Sequence, residues 1–412
     1  MTSTGSLIPL DVAQSFVLDR IEPLSPVALP LLNSSGLVLA VDIESHEDIP
    51  PFKNTASDGY AVRAKDTTGA SKMNPVLLKV IATIAAGDSI DPTLEPGTAV
   101  RIMTGAPVPL SADSIVMVED TALYDDQPSM VQVFKQASPG DSIREAGSDI
   151  STGQVVLLAG TILNPAAIGV LASLGYKKVP VYPRPKVGVI STGSELVDTG
   201  DVSKGMIRDS NRPSLIEAVN KSGFEAIDLG IVPDDAGQLE EAFTRAAKKC
   251  DAIITSGGVS VGDFDLTKEV LAKLSEGGMR WMQVAIKPAK PFAFGKIAGT
   301  PLFGLPGNPV SALVSFELFA RPAIRKLMNY PSPYKTLLNA TLQDDVARRK
   351  DGKVHFLRAV CNSVNGELQA TLKLGQKSHM LSQMASANAL LVVPDGNGFQ
   401  AGAKLPVILL DQ

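Results

Sequence analysis

The sequence predicts a multidomain protein of the α/β plus β class, in which a doubly wound α/β domain lies between two β-rich regions. From Lys186 onward, short apolar runs alternate regularly with segments of helical periodicity. Residues 76–135 instead show short apolar runs separated by Gly and Pro, and residues 330–412 return to that pattern. A chain of 412 residues is also too long for one ordinary domain.

The β-rich region before Lys186 is predicted from short apolar runs with turn residues between them. A helical pattern over residues 165–175 and an extended one over 177–182 follow it. The predicted strands of the β-rich region are 76–84, 99–103, 114–119 and 130–134.

The α/β domain is predicted from strand–helix alternation, with Leu239, Phe243 and Ala246 recurring at helical spacing. Ligands of such sheets bind beyond the carboxyl ends of the strands. Its predicted strands are 187–191, 226–229, 252–255, 281–286 and 302–305, and its helices are 213–222, 236–249 and 309–328. The C-terminal strands are predicted at 337–342, 353–360, 368–374, 389–393 and 405–410.

The composition narrows the function classes. A net charge of -5 argues against a general nucleic-acid-binding protein. Two cysteines without a CxxC pair and three widely spaced histidines argue against a zinc or iron–sulfur site. No apolar run is long enough for a membrane span, and residues 1–10 do not resemble a signal peptide. The expected location is the cytoplasm.

Three loops that follow predicted strands point to a phosphate site with a metal ion. Glycines in the loop 256–262 let backbone N–H groups approach an anion, and Asp263 and Asp265 at its far end are ligands suited to Mg²⁺. The loop 191–196 carries Glu195. In the loop 303–311, Asn308 is predicted as an N-cap with Pro309 at the first helical position, which leaves free N–H groups for an anion.

The segment 286–291 carries two lysines between alternating prolines. A polyproline-like backbone repeats every three residues, so it predicts that Lys287 and Lys290 point the same way and attract an oxyanion. Three polar turns in the β-rich region, at 54–61, 101–107 and 144–150, are each compatible with ordinary turn chemistry.

Residues 258–262 match the G-x-S-x-G element of α/β hydrolases, with Ser260 as the serine. That element needs its serine directly between a strand and a helix, whereas here the strand is predicted to end near Thr255 and the helix to begin after Asp265. A hydrolase is therefore disfavoured. The chain also contains no Walker P-loop.

Together these motifs resemble the molybdopterin molybdenumtransferase family, the MoeA-type proteins that include the C-terminal domain of gephyrin. The resemblance covers essentially the whole chain. It implies a discontinuous linker domain (1–45 and 145–182), an inserted β-rich domain (46–144), an α/β molybdopterin-binding domain (183–329) and a C-terminal β-domain (330–412). The motifs that carry it are 57–62, 101–106, 147–150, 191–196, 209–211, 256–262, 286–288 and 304–309.

The resemblance also implies a reaction and its residues. The family inserts molybdate into the dithiolene of adenylylated molybdopterin and releases AMP, with Mg²⁺ as cofactor. It acts as a homodimer whose cleft is shared between subunits, and possible partners are the adenylyltransferase and recipient molybdoenzymes. The implied catalytic residues are Asp58, Thr104, Asp149, Glu195, Asp265, Lys287 and Lys290; the cofactor-binding residues are Ser256, Gly257, Gly258, Ser260, Pro306, Gly307, Asn308 and Pro309; the metal ligands are Asp265, Glu195 and Asp234.

The residues leave several assignments open. Asp235 could take the place of Asp234, and Asp263 has no assigned role. Ala289 stands where the family commonly has glycine, and Ser57 where it commonly has methionine. A molybdopterin adenylyltransferase and a non-catalytic scaffold protein are the alternative functions, and tungstate could replace molybdate.

Overall fold

A computed structural model of the chain describes residues 7–125, 127–258 and 266–410. The chain divides into two compact units. One comprises residues 30–33 and 41–178, and the other comprises the residues up to 29 together with 34–40 and 179–412. Within the described ranges, every helix is too short or too polar to cross a lipid bilayer.

The smaller unit is built on a six-stranded sheet, antiparallel except where Val76–Ile84 pairs in parallel with Thr98–Ile102. Alternate residues of Gly59–Val62 enter two separate hydrophobic clusters, so both faces of this strand are covered. The sheet order is Ser114–Met117, Gly59–Val62, Thr98–Ile102, Val76–Ile84, Gln127–Val133 and Thr121–Tyr124.

The rest of this unit consists of short strand pairs and one helix. Asn164 caps the helix Pro165–Ser173 by accepting a hydrogen bond from the N–H of Ala167 (2.8 Å). Pro165 occupies the first helical position, where an N–H group would have no partner within the helix. The strand pairs are Asn54–Thr55 with Ile143–Arg144 and Ile43–Glu44 with Val155–Leu157. Short 3₁₀ helices are Leu31–Asn33, Ala64–Thr67 and Val118–Asp120.

The larger unit contains the six-stranded α/β sheet, in which Pro291–Ile297 alone runs antiparallel to the other five strands. The chain passes from Lys186–Thr192 to Glu225–Val232 on one side of it and then to Ala252–Ser256 on the other side. The connections therefore reverse direction beside Lys186–Thr192. Such a switch point opens a ligand crevice. The sheet order is Glu225–Val232, Lys186–Thr192, Ala252–Ser256, Thr300–Leu305, Pro291–Ile297 and Arg280–Gln283.

The helices of this unit are amphipathic or buried. Leu239, Phe243 and Leu271 are buried with the strand residues Ile253 and Leu302 in one cluster, which stabilises the layered arrangement by removing apolar surface from water. The helices are Leu10–Leu18, Asn211–Lys221, Ala236–Lys249, Leu266–Leu274, Pro309–Ser315, Arg321–Leu327 and Leu381–Ala385.

The sequence predicts one helix over residues 309–328, but a π-helical turn, Phe316–Ala320, separates its two α-helical parts. Pro322 lacks an N–H group and cannot bond the carbonyl of Leu318 in an α-helix. The side chain of Gln14 instead donates a hydrogen bond to that carbonyl (3.0 Å).

The C-terminal β-region is a closed barrel, since Val354–Val364 also pairs with the last strand of its sheet, Ala389–Val393. Its interior is filled by small residues such as Ala340, Ala359 and Ala370 beside larger aliphatic ones. The other barrel strands are Glu367–Leu372, Leu338–Leu342 and Lys404–Leu409, with the short pair Val346–Ala347 and Gly398–Phe399 beside them.

The predicted strand 281–286 is wrong as one element. The structure ends the α/β strand at Gln283, and Ile286–Lys287 pairs in parallel with the barrel strand Val354–Val364. The apolar run 284–286 looks uniform in sequence, and only tertiary pairing assigns its end to a second sheet. The strand Pro291–Ile297 is not in the prediction. Two further pairs of short strands are Val27–Pro30 with Lys178–Val181 and Leu196–Val197 with Ile207–Arg208.

Candidate functional site

The three predicted loops meet at the carboxyl edge of the parallel strands. The N–H of Gly257 donates to the carbonyl of Leu305 (3.2 Å), which joins the second loop to the third. Gly257 has a φ of +95°, and a Cβ there would lie 2.5 Å from the carbonyl oxygen of Thr192 at the first loop. Only glycine permits this approach of three strand ends.

Glu195 and Asp234 lie on neighbouring loops at this edge, and both side chains are exposed. The N–H of Ser194 donates to the carboxylate of Asp234 (3.0 Å), and the N–H of Asp234 donates to the hydroxyl of Ser194 (2.9 Å). The carboxylate of Glu195 folds back over Gly193, where a Cβ would lie 2.5 Å from Oε2. Asp235 instead caps the helix Ala236–Lys249 by accepting from the N–H of Gln238 (2.9 Å).

Two exposed carboxylates on adjoining loops fit Mg²⁺, which commonly uses one or two protein carboxylates and completes its shell with water and phosphate oxygens. Among the described residues, no cluster of three or more metal-ligating side chains is present. Asp265, the third predicted ligand, and Ser260 and Asp263 lie outside the described residues.

The loop after Ala252–Ser256 begins with small residues that pack closely. Ser256 is buried, with 2% of its surface exposed. Gly258 has a φ of +64°, and a Cβ there would lie 2.5 Å from the Cβ of Thr267. Glycines at 257 and 258 therefore permit a tight turn against neighbouring atoms.

The loop 306–309 departs from the prediction in one respect. Pro309 begins the helix as expected, but the side chain of Asn308 makes no capping hydrogen bond. The N–H of Val310 donates to the carbonyl of Ser378 in the barrel region (3.2 Å), so this donor is not free for an anion. Asn308 thus occupies the predicted N-cap position, but its side chain does not satisfy the helix N–H groups, and a carbonyl from elsewhere in the chain bonds one of them.

The predicted polyproline conformation around the lysines is also wrong. The Lys287–Pro288 peptide is cis and Ala289 has a φ of +73°, so the segment turns instead of repeating every three residues. Lys287 is exposed and lies opposite His355 in the parallel strand pair. Lys290 is also exposed and precedes Pro291–Ile297, whose pairing of Ala293 with Gly304 places this strand's start at the carboxyl edge of Thr300–Leu305.

In the smaller unit, Asp58 and Thr104 are in direct contact. The Asp58 Oδ1 atom accepts hydrogen bonds from the N–H (2.7 Å) and the hydroxyl (2.8 Å) of Thr104. These two bonds, the backbone one first, lower the pKa of the Asp58 carboxyl below its ordinary value. Asp149 is exposed on another loop, where its N–H donates to the carbonyl of Ile49 (3.0 Å).

The sequence-based site misses Asn211, which lies between two of the candidate loops. Its Nδ2 atom donates to the hydroxyl of Ser256 (2.7 Å) and to the carbonyl of Gly307 (2.7 Å). The motif 209–211 is among those that carry the family resemblance, and that was the signal in the sequence that could have pointed to Asn211.

Family models match three consecutive parts of the chain: the MoeA N-terminal region (domain I and II) over residues 8–175, a probable molybdopterin binding domain over 188–326, and the MoeA C-terminal region (domain IV) over 339–410. The molybdopterin molybdenumtransferase 2 of Mycobacterium tuberculosis is 42% identical over 388 residues, covering 93% of this chain and 94% of that protein. The molybdopterin molybdenumtransferase of Haemophilus influenzae is 36% identical over 95% of this chain and 96% of its own length.

A solved structure has the same architecture. The crystal structure of the molybdopterin biosynthesis moeA protein from Pyrococcus horikoshii OT3 superposes with a TM-score of 0.82 at 32% identity, covering 98% of this chain and all of that one. The protein is thus of the multidomain α/β class whose open sheet carries a ligand crevice at its switch point. Within that class, the chain belongs to the MoeA-type molybdopterin molybdenumtransferase family, which confirms the predicted family and fold class.

Proposed function

We propose that this protein is a transferase of molybdenum cofactor biosynthesis, which inserts molybdate into the dithiolene of adenylylated molybdopterin and releases AMP. The observation that carries the proposal is the meeting of three loops at the switch point, where the N–H of Gly257 bonds the carbonyl of Leu305 and Gly257 packs against Thr192. Glycine-rich backbone beside carboxylates suits a phosphoanhydride with a divalent cation. The names of the relatives support the same substrate.

The phosphates of the substrate bind along the loops 256–260 and 306–309. Gly257 and Gly258 let the backbone approach the phosphate oxygens without a Cβ in the way. Because the N–H of Val310 is already bonded to Ser378, the second loop contributes through Pro306, Gly307 and the backbone of Asn308 and not through that N–H.

Glu195, Asp234 and Asp265 hold Mg²⁺ in this proposal. The N–H of Ser194 fixes the carboxylate of Asp234, whereas Asp235 is engaged as a helix cap, which favours Asp234 over its neighbour. Bound Mg²⁺ supplies Lewis-acid neutralisation of the charge that develops as the phosphoanhydride breaks.

The cationic side chains of Lys287 and Lys290 attract molybdate or a phosphate to this edge of the sheet. Both are exposed. A lysine ammonium group binds oxyanions as a point charge, without the fixed planar geometry of an arginine guanidinium. Lys287 is supported from the barrel by its pairing with His355.

The protein acts as a homodimer, and Asp58, Thr104 and Asp149 of one subunit complete the cleft of the other. Complementation tests this arrangement. Asp58→Asn and Glu195→Gln are each expected to inactivate the protein. Mixing the two variants under conditions of subunit exchange restores activity only if the two residues act in the same cleft from different subunits. Two inactive variants that stay inactive when mixed, despite proven exchange, contradict a shared cleft.

The direct test is incubation with adenylylated molybdopterin, molybdate and Mg²⁺, following AMP release and molybdenum incorporation. The expected result is AMP released in step with molybdenum bound to the pterin. Formation of adenylylated pterin from ATP, with no metal insertion, would instead identify an adenylyltransferase. Asp265→Asn is expected to abolish AMP release while the protein stays folded, and wild-type turnover in that variant would contradict its metal role.

A further inference from the structure

We infer that Asn211 is a positioning residue that fixes the spacing between the Ser256 loop and the Gly307 loop. The inference rests on the proposed function only for the identity of the ligand, since the two loops and their bridge are features of the fold. Asn211 lies at the first position of the helix Asn211–Lys221, at the edge where the parallel strands end.

The side-chain amide of Asn211 has two N–H donors, and each has a partner on a different loop. One donates to the hydroxyl of Ser256 and the other to the carbonyl of Gly307, both at 2.7 Å. A carbonyl oxygen can only accept, so the amide nitrogen must face Gly307 and the orientation of the side chain is determined. The two bonds set the distance between the loops.

Asn211 is itself held in place by buried charge. The Asp209 Oδ1 atom accepts from the N–H of Asn211 (3.0 Å) and from the N–H of Arg212 (3.1 Å), while Oδ2 accepts from the Arg212 side chain (3.2 Å). Asp209 and Arg212 are both buried, at 7% exposure each. The helix start therefore has little freedom to move the amide.

The same segment also contacts the Glu195 loop. The N–H of Ile207 donates to the carbonyl of Glu195, and the N–H of Asp209 donates to the carbonyl of Val197, both at 2.8 Å. Residues 207–212 thus touch all three loops. Among these links, and within the described residues, only that of Asn211 uses one side chain to contact two loops at once.

Two substitutions at this position separate its two contacts. Asn211→Ala removes both bonds. Asn211→Asp keeps the shape but offers only acceptors, so the contact with the Gly307 carbonyl becomes repulsive, whereas the Ser256 hydroxyl can turn and donate. Asn220→Asp is the matched control, because Asn220 lies on the same helix and its side-chain oxygen accepts from the N–H of Ala226 (3.2 Å), a contact that aspartate can keep.

Hydrogen–deuterium exchange tests the positioning role without reference to activity. In Asn211→Ala, faster exchange is expected at both Gly257 and Val310, whose N–H groups bond Leu305 and Ser378. In Asn211→Asp, it is expected at Val310 alone. Unchanged exchange at both positions, or a uniform increase throughout the α/β unit, overturns the inference.

AMP binding, measured by calorimetry, tests the consequence for the ligand. We expect Asn211→Asp and Asn211→Ala to weaken AMP binding about tenfold, from the loss of one or two hydrogen bonds that pre-organise the loops. The control Asn220→Asp binds as the wild type. Wild-type affinity in both Asn211 variants overturns the inference, whereas a wild-type protein that binds AMP but releases none from adenylylated molybdopterin contradicts the proposed function alone.

If Asn211→Ala does not fold, Ser256→Ala provides the second route. The hydroxyl of Ser256 is removed while Asn211 keeps its bond to Gly307. Ser256→Ala is expected to change AMP affinity less in an Asn211→Asp background than in the wild type, because Asn211→Asp has already uncoupled the Ser256 and Gly307 loops. Strictly additive effects overturn the inference.

Discussion

The carboxylate of Asp58 accepts two hydrogen bonds from Thr104, one from its backbone N–H at 2.7 Å and one from its hydroxyl at 2.8 Å. The residues are separated by a long stretch of chain and lie at the ends of neighbouring strands, Gly59–Val62 and Thr98–Ile102. The pair keeps Asp58 ionised, because both bonds favour the charged form and lower its pKa.

Removal of the Thr104 hydroxyl should therefore raise the pKa of Asp58 part of the way towards its ordinary value of 3.8. Thr104→Ala keeps the backbone bond and loses the other, whereas Thr104→Ser keeps both and serves as control. Carboxyl carbon shifts in an NMR titration measure the change. Because the folded pKa is the lower one, stability from this pair is present above pH 3.8 and is lost as the pH falls through the folded pKa.

Gly257→Ala should damage the candidate site more than an ordinary glycine substitution. Gly257 and Gly277 have φ of +95° and +80°, so alanine at either costs about 1–2 kcal/mol from the left-handed conformation. Only at Gly257 does the new Cβ also meet a backbone oxygen, that of Thr192 at 2.5 Å, which adds about 1–3 kcal/mol of overpacking. We expect Gly257→Ala to lose AMP release and Gly277→Ala to keep it, with equal losses counting against the packing argument.

The sequence predicts the α/β domain well because its strands and helices have strong, local patterns. The structure has strands at Lys186–Thr192 and Ala252–Ser256 and a helix at Ala236–Lys249, close to the predicted bounds. The closure of the barrel and the pairing of Ile286–Lys287 with Val354–Val364 depend on contacts distant in sequence, which no local pattern encodes.

In the candidate site, too, some features could be predicted from the sequence and others could not. Glycines 257 and 258 and Pro309 are predicted because their residue types are tied to backbone geometry. The bridge from Asn211 to Ser256 and Gly307 could not be predicted, since an amide is compatible with many partners and only the folded chain selects them. For the same reason the sequence predicts Asn308 at the N-cap position correctly, but it does not show that the N–H of Val310 bonds the carbonyl of Ser378 while the Asn308 side chain makes no capping bond.

Arg212 should be essential for the stability of the α/β unit. Its buried guanidinium contacts Asp198, Asp209 and Asp228, and Asp209 is itself buried. Arg212→Met leaves the Asp209 charge without this partner, at an expected cost of about 3 kcal/mol. Urea unfolding followed by fluorescence measures it, because the single tryptophan, Trp281, lies in the α/β sheet.

The matched control for Arg212 is Arg245→Ala on the helix Ala236–Lys249. Arg245 is half-exposed and pairs with Glu241 at 3.6 Å across one helical turn. An exposed pair of this kind contributes less than about 1 kcal/mol. Equal shifts of the urea midpoint in the two variants would contradict the importance of the buried charge cluster.

His355 should make the protein less stable in mild acid. Burial of its ring is the main cause that lowers its pKa below 6.5, and the nearby charges of Arg348 and Lys287 act in the same direction against the hydrogen bond to Asp351. At a pH between the two pKa values, His355 binds a proton in the unfolded chain but not in the folded chain. Stability from neutral His355 is thus present above pH 6.5 and is lost as the pH falls below it towards the folded pKa.

Thermal unfolding from about pH 7.5 to about pH 5.5 measures this loss, since the unfolded histidine titrates within that range. His355→Gln cannot take up a proton, so its Tm should fall less over the range than that of the wild type, whatever its Tm at neutral pH. His379→Gln is the control for the loss of a histidine ring, because His379 is exposed on a loop of the same unit. A steeper or equal fall of Tm in His355→Gln would mean that other groups carry the acid sensitivity, and that the charges of Lys287 and Arg348 do not act through this ring.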